Sequence, residues 1–276
     1  MVSRFCLLAF MIIPIMVCSQ NRGESEAFRK FSQLLLLSSG QNSGHQIAGG
    51  CFIKDSGFIY FVSVAHFFNG INVFNGQPYP EKDQPDSVFI RYFDKRSSKF
   101  SLLKLDLTPY RKNARPFFWD DYPDILCMKL PDELKLNFDV IDIEDCPYDL
   151  NNENPEEIFV WGYPESLESD GQYPLKDFQM KYYSSSVRGN IQDPINGYHH
   201  NAFDDLDFLI TPNCGAGCYG APAFFRYNKN GSTKITFGGI VIGVDPNHQL
   251  SCIVRPQQVR KAISILKNSG LVYYYP

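Results

Sequence analysis

The chain has 276 residues and a net charge of −4, and apolar side chains make up 44% of the sequence. That length and apolar content are enough to bury one large core or two smaller ones, which argues against a disordered chain. Twenty glycines, eighteen prolines and 15% aromatic residues favour short strands joined by tight turns, and therefore an all-β fold. The acidic balance and the lack of a long basic run argue against nucleic acid or anionic lipid as a partner and favour neutral or peptide-like partners.

The N-terminus has the layout of a signal peptide. Arg4 precedes an apolar run from Cys6 to Cys18, and a polar stretch begins at Ser19. The run has 13 residues, whereas a membrane-spanning helix needs about 20. We therefore expect residues 1–19 to be removed and the protein to be secreted or periplasmic, with no membrane span. Acylation of Cys18 is the alternative, although the three residues before it fit a lipoprotein signal poorly.

Turn residues and apolar runs predict strands along most of the remaining chain. The segment 31–37 suits either a first strand or the end of a short helix, and its periodicity does not decide between them. Hairpins are predicted at 54–57 and at Asn230-Gly231. The acidic stretch 142–155, rich in Asn and Pro, predicts a linker between two halves. A helix is predicted to begin at Pro256 and to stop at Gly270.

Six cysteines follow the signal segment: Cys51, Cys127, Cys146, Cys214, Cys218 and Cys252. They can pair in fifteen ways, and the residues alone leave the pairing open. Cys51 and Cys127 lie inside apolar strands, where a free cysteine behaves as a small buried hydrophobe. No Cys-x-x-Cys pair occurs, so we expect neither a zinc site nor any other metal or cofactor.

Three segments occur in an order that is typical of one protein family. They are Val62-Ser63-Val64-Ala65-His66, the apolar segment 124–130 that opens with Asp124, and Gly217-Cys218-Tyr219-Gly220-Ala221-Pro222. Together they resemble the trypsin-like serine proteases. That family has Ala-Ala-His at the end of a strand, an Asp opening an apolar strand, and Gly-x-Ser-Gly-x-Pro at the nucleophile. The resemblance covers roughly residues 44–268, and an unrelated secreted β-sandwich is the alternative fold.

The resemblance implies two six-stranded antiparallel barrels of the chymotrypsin or trypsin-like type, followed by a C-terminal helix. The expected boundaries are an N-terminal segment at 20–43, a first barrel at 44–140, a linker at 141–155, a second barrel at 156–254 and a helix at 255–270. The cleft between the barrels would take a peptide or protein ligand. The same fold would bring Cys252 close to Cys214 and Cys218, so a disulfide between Cys252 and one of them is expected.

The chemistry of the family needs a serine hydroxyl, an imidazole that takes its proton, and a carboxylate that orients the imidazole. By the resemblance, His66 and Asp124 supply the imidazole and the carboxylate. The backbone N–H groups of Gly217 and Tyr219 supply the oxyanion hole. Tyr219 stands at the serine position. Its phenol oxygen lies several bonds farther from the backbone, and its unperturbed pKa is about 10, so it cannot replace the serine.

Two functional hypotheses follow from this departure. The first is a pseudoprotease that binds a partner in its cleft. The second is an active peptidase with a non-standard nucleophile such as Cys218, although thiol peptidases of this fold place their cysteine where Tyr219 stands. Asn213 occupies the place of the acidic pocket residue of trypsin-like enzymes, so a preference for Lys or Arg is not expected. His199 and His200 indicate a polar loop rather than a metal site.

Overall fold

The computed structural model describes residues 26–39, 42–69, 87–106, 117–120, 124–130, 137–146, 155–163, 181–185, 207–210, 214, 216–245 and 250–268. The expected signal segment, His199, His200 and Asn213 lie outside these ranges. Within them the strands are β1 Gln33–Ser39, β2 Asn42–Asp55, β3 Phe58–Val64, β4 Ser87–Asp94, β5 Lys99–Asp106, β6 Phe117–Asp120, β7 Ile125–Lys129, β8 Ile141–Asp142, β9 Pro155–Gly162, β10 Lys181–Ser185, β11 Asp207–Ile210, β12 Pro222–Lys229, β13 Ser232–Asp245 and β14 Leu250–Val254. The helices are α1 His66–Asn69 and α2 Pro256–Asn268.

The strands form two sheets. The first has the order β5-β4-β1-β2-β3-β7-β6, with β8 added in parallel to β2, and the second has the order β10-β9-β12-β13-β14-β11. The predicted β fold with a C-terminal helix is confirmed, as are the hairpin turns at 54–57 and Asn230-Gly231. Pairing among the described strands leaves both sheets open and puts eight strands in the first. These strands therefore do not show the two closed six-stranded barrels that the sequence predicted.

Two strands from outside residues 44–140, β1 and β8, belong to the first sheet. Of the two alternatives for residues 31–37, a strand or a helix end, the structure has a strand from Gln33 onward. This strand, β1, is hydrogen-bonded to β2 on one side and to β4 on the other. The second, β8, pairs with Ile53 and Lys54 of β2 inside the segment that was expected to be a linker. Both extensions satisfy backbone groups that would otherwise lack partners in the sheet.

A segment ahead of β1 joins the two sheets. Phe28 packs on Phe224 of β12, with 4.9 Å between ring centroids, and on Phe159 of β9 at 5.9 Å. Two residues later, Lys30 forms an ion pair of 3.1 Å with Asp139, which belongs to the first half of the chain. The residues before β1 thus contact the second sheet before the chain enters the first.

The largest core cluster lies where the two sheets and α2 meet. It contains residues of the first sheet such as Val62 and residues of the second such as Ile240. Arg260 of α2 donates hydrogen bonds to the carbonyl oxygens of Ile143 and Cys146, at 2.5 and 2.6 Å. The helix also contributes a buried apolar stripe to this cluster, formed by Val259, Ala262, Ile263 and Leu266. The stripe and the arginine therefore fix α2 against both halves of the chain.

The expected disulfide of Cys252 is wrong, because none of the six described cysteines forms a disulfide and all of them are buried. The reason is the alternation of side chains along β14. Cys252 faces the cluster that includes α2, whereas its neighbour Ile253 faces the cluster that holds Cys214 and Cys218. Two neighbouring residues of β14 thus pack in two different core clusters. The predicted burial of Cys51 and Cys127 in apolar strands is confirmed.

The packing of α2 can be tested with two isoleucines of the same helix. Ile263 is 1% exposed and Ile265 is 37% exposed. Ile263→Ala should lower the free energy of unfolding by about 2–5 kcal/mol, because it leaves a cavity in the core. The matched change Ile265→Ala should alter it by no more than about 0.5 kcal/mol. Urea unfolding measures both, and equal losses would contradict this placement of the helix.

Candidate functional site

Three hydrogen bonds hold His66 and its neighbour Ala65 against Asp124. The His66 Nδ1 and Asp124 Oδ2 atoms are 2.6 Å apart, and the His66 backbone N–H donates to Asp124 Oδ1 at 2.9 Å. The backbone N–H of Ala65 donates to the carbonyl oxygen of Asp124 at 3.2 Å. The contact that the sequence predicted between the His66 and Asp124 side chains is therefore present.

The antiparallel pairing of β3 and β7 explains how residues 58 positions apart come into contact. Val64 at the end of β3 lies opposite Ile125 at the start of β7. Ala65 and His66 follow Val64, and Asp124 precedes Ile125, so the antiparallel pairing brings these residues together. Asp124 has a φ of +63°, a left-handed conformation that Asp tolerates better than most residues. This turn directs the carboxylate back toward His66.

Burial dominates the electrostatics of this pair. His66 is 4% exposed and Asp124 is 5% exposed. Burial raises the pKa of the Asp124 carboxyl, while the hydrogen bonds from His66 act in the opposite direction. An ionised carboxylate only accepts hydrogen bonds, so Nδ1–H of His66 donates to it, and in the neutral ring this arrangement makes Nε2 the acceptor. This is the tautomer that a general base requires.

Tyr219 follows a short 3₁₀ turn, Ala216–Cys218, and is itself followed by Gly220. The turn is closed by a hydrogen bond from the Ala221 N–H to the Cys218 carbonyl oxygen at 2.9 Å. Gly220 has a φ of +79° and donates its N–H to Val241 O of β13 at 2.6 Å. The turn is therefore anchored to the second sheet at β13.

The backbone of this turn lies directly against β2 of the first sheet. The Gly49 N–H donates to Tyr219 O at 2.5 Å, and the buried Ser63 hydroxyl donates to Gly49 O at 2.8 Å. A Cβ atom on Gly220 would overlap with both Gly49 O and Ser63 Oγ. This role of Gly49 and Ser63 was not predicted from the sequence. The signal was the Gly49-Gly50 pair inside a strand, because glycine in a strand often marks a close backbone approach.

The Tyr219 ring lies beside the imidazole. The ring centroids of His66 and Tyr219 are 5.3 Å apart and the ring planes are nearly perpendicular, at 86°. This is an edge-to-face contact, a favourable arrangement for two aromatic rings. Tyr219 is 8% exposed. The aromatic side chain therefore fills space next to the base instead of leaving that space open.

Cys218 lies in a separate environment within the second half of the chain. Its thiol is fully buried and donates to Cys214 O at 3.0 Å. A Cβ atom on Gly162 would overlap with the Cys218 sulfur, so the thiol occupies the space that this glycine leaves. The backbone N–H of Cys214 donates in turn to Ser251 Oγ at 2.9 Å. Gly217, the other expected oxyanion residue, is buried in the same 3₁₀ turn.

Solved structures similar to this chain are serine proteases. The active form of the Rv3671c protease from M. tuberculosis superposes with a TM-score of 0.52 at 14% identity, covering 91% of this chain and 86% of that one. The chain thus has a serine-protease fold. The thermostable serine protease AL20 from an extremophilic microorganism gives a TM-score of 0.51 at 11% identity, covering 87% of this chain and 99% of that one. No family model and no curated protein matches the sequence.

Two further features concern ligands and membranes. The described ranges hold no group of three or more His, Cys, Asp or Glu side chains that is arranged to bind a metal ion. Among the same residues, no helix is both long enough and apolar enough to cross a bilayer.

The contact between Gly220 and β2 can be tested against a matched glycine. Gly220 and Gly231 have similar φ values of +79° and +76°, but a Cβ atom on Gly231 would meet nothing within 4 Å. Gly231→Ala should cost about 1–2 kcal/mol of stability, from backbone strain alone. Gly220→Ala should cost about 1–3 kcal/mol more, because the added methyl group also collides with β2. Chemical denaturation measures both, and equal costs would argue against a close approach of the two sheets.

Proposed function

We propose that the chain is an exported protein with the serine-protease fold and a degenerate triad of His66, Asp124 and Tyr219, and that it acts by binding rather than by hydrolysis. Its ligand is a peptide or protein segment in the cleft that the serine-protease fold has between its two halves. Support comes from the fold of the serine proteases that it resembles and from the signal-like N-terminus. One observation carries the proposal, which is the Tyr219 ring packed edge-on to His66.

The position of that ring bears directly on catalysis. Acyl transfer needs a nucleophilic atom within hydrogen-bonding reach of the base, about 2.6–3.2 Å. A serine hydroxyl at residue 219 would be one carbon from the backbone, whereas the phenol oxygen lies beyond the whole ring. A phenol is also mostly protonated at neutral pH, since its unperturbed pKa is about 10. Tyr219 therefore supports occupation of the site rather than attack on a substrate.

Retention of His66 and Asp124 does not require catalysis. Asp124 accepts a hydrogen bond from the His66 backbone N–H as well as from its ring. Removing the carboxylate would leave a buried donor without its partner, which costs about 1–3 kcal/mol. The pair thus contributes to the junction of β3 and β7 whether or not a nucleophile is present. A binding protein would therefore also need both residues, for the stability of this junction.

A peptidase that uses Cys218 is the second candidate, and the intact contact between His66 and Asp124 favours it. Against it stands the burial of the thiol and its hydrogen bond to Cys214 O. A reactive cysteine needs access and a thiolate. The turn would have to reorganise before this sulfur could reach a substrate.

Replacing Tyr219 with serine tests the proposal directly. In Tyr219→Ser a hydroxyl would stand beside His66, which Asp124 already orients. Labelling by a fluorophosphonate probe should be at least about a hundredfold faster than in Tyr219→Ser/His66→Ala, the usual contribution of a general base, and the wild type should stay unlabelled. Tyr219→Ser combined with His66→Ala should lose most of that gain, because the hydroxyl would lack its base.

Other outcomes of the labelling experiment are informative. Strong labelling of the wild-type chain at one defined residue, located by peptide mapping, would refute the binding hypothesis. A Tyr219→Ser variant that folds but stays inert would show that the turn does not present an oxyanion hole, and would restrict the site to binding.

Thiol reactivity separates the two candidates. Burial raises the pKa of Cys51, Cys127 and Cys146, whereas a hydrogen bond with Cys218 lowers the pKa of the buried Cys214. In a Cys6→Ser/Cys18→Ser background, an aromatic disulfide reagent should modify the six remaining thiols only after the chain is unfolded. One fast-reacting thiol in the native chain that disappears in Cys218→Ala would favour the thiol peptidase.

A further inference from the structure

Exposed apolar side chains are concentrated on one hairpin. Among the described residues, five large hydrophobic side chains are exposed, and three of them belong to β4 and β5: Phe93 at 41%, Phe100 at 60% and Leu102 at 48%. Phe93 and Phe100 are opposite each other in the strand register, and their rings pack at 5.6 Å. The alternate residues Val88, Ile90 and Leu103 point into the core. The outward face of this hairpin is therefore an aromatic and aliphatic surface that the chain leaves in contact with solvent.

The same hairpin is basic although the chain is acidic. The segment Ser87–Asp106 has five basic and two acidic residues, a net charge of +3, whereas the whole chain has −4. Every residue from Lys95 to Phe100 is exposed, which places Arg96 and Lys99 at the tip. The acidic Asp94 accepts hydrogen bonds from the Arg96 N–H and the Ser97 hydroxyl within the turn. Its carboxylate is thus occupied locally, and Lys95 forms an ion pair of 2.8 Å with Asp139. Arg96 and Lys99 are the exposed basic side chains that the tip presents outward.

Basic groups also lie over the aromatic rings of this face. The Arg91 guanidinium is 4.4 Å from the centroid of the Phe100 ring, and the Lys104 ammonium is 5.5 Å from that of Phe89. Arg91 also lies 5.9 Å from the ring of Tyr163, beyond the end of β9. Burial raises the pKa of Tyr163 to about 12. Its phenol is therefore neutral and carries no negative charge that would offset the charge of Arg91. Arg91 connects the hairpin to the second half of the chain.

The shape of this surface distinguishes between partners. Peptide recognition uses a groove, a pocket or an unpaired strand edge. β5 is the last strand in the described order of the first sheet and has such an edge, but these side chains project from the outer face of β4 and β5 and from the hairpin tip. Aromatic side chains next to Lys and Arg are the composition found at bilayer interfaces, where rings settle at headgroup level and basic groups reach the phosphates. The positive charge specifies an anionic surface. An anionic bilayer therefore fits this hairpin better than an acidic peptide does.

We propose that the β4–β5 hairpin is a peripheral membrane-binding element that inserts Phe93, Phe100 and Leu102 into the headgroup region of an anionic bilayer. Arg96 and Lys99 at the tip contact the lipid phosphates. This surface lies outside the His66 and Asp124 site and does not depend on whether that site is catalytic. The net charge of the chain predicted no binding to anionic lipid, but a net charge does not reveal a local excess of positive charge.

The test places a fluorescent reporter on the hairpin of the full chain. In Phe100→Trp, the added emission should shift to shorter wavelength with phosphatidylcholine vesicles that contain about 30% phosphatidylglycerol, and brominated lipid should quench it. Pure phosphatidylcholine should have a much smaller effect, and raising the salt concentration should weaken binding. The control is Phe58→Trp on the β2–β3 hairpin, where Phe58 is 39% exposed and lies under the Lys129 ammonium at 3.9 Å. That reporter should not shift.

Sedimentation with the same vesicles tests the contributions of charge and apolar surface. Arg96→Glu/Lys99→Glu and Phe93→Ser/Phe100→Ser should each lower the partition coefficient by about tenfold or more, whereas Phe58→Ser should leave it unchanged. A Phe100→Trp signal that does not respond to anionic vesicles would overturn the proposal. So would vesicle binding that neither double variant weakens. A response of the Trp reporter to polyglutamate but not to vesicles would reassign the hairpin to an acidic protein partner.

Discussion

The site depends on a contact between two backbones with no side chain between them. Gly49 of the first sheet donates its N–H to Tyr219 O, and Gly220 approaches so closely that an added Cβ atom would overlap with β2. The Ser63 hydroxyl lies beside this contact and donates a hydrogen bond to Gly49 O. Because Ser63 and His66 belong to the same stretch of chain, the position of the turn is fixed relative to the imidazole. The Tyr219 ring lies at His66 as a consequence.

A buried pair of ionisable groups is costly unless its polar atoms have partners. In this protein the carboxylate of Asp124 meets that requirement with two hydrogen bonds from one residue, His66. The arrangement that orients a catalytic imidazole is therefore also the arrangement that satisfies the backbone between β3 and β7. Structural and catalytic requirements select the same two residues, so the presence of His66 and Asp124 does not by itself distinguish an enzyme from a binding protein at this site.

The binding properties of a surface depend on its local charge rather than on the net charge of the chain. A net charge describes the whole chain, but screening limits the effect of an exposed charge to about 8 Å at physiological salt. The β4–β5 hairpin has a net charge of +3 within twenty consecutive residues, so the rest of the chain carries the acidic excess. Its aromatic residues are equally local, since strand alternation puts Phe93 outside and Tyr92 inside. Pairing of the two strands creates the surface.

The sequence by itself determined the features that depend on neighbouring residues: the β-rich composition, the tight turns at 54–57 and Asn230-Gly231, the helix after Pro256, and the order of the His66, Asp124 and Tyr219 motifs. Only the tertiary structure decided that β1 belongs to the first sheet, that Cys252 faces away from Cys218, and that the Tyr219 ring packs on His66. These features depend on strand order and register, which are set by contacts between residues far apart in the chain. Local sequence patterns do not predict those contacts, because a strand has the same alternation of inward and outward side chains whichever strand it pairs with.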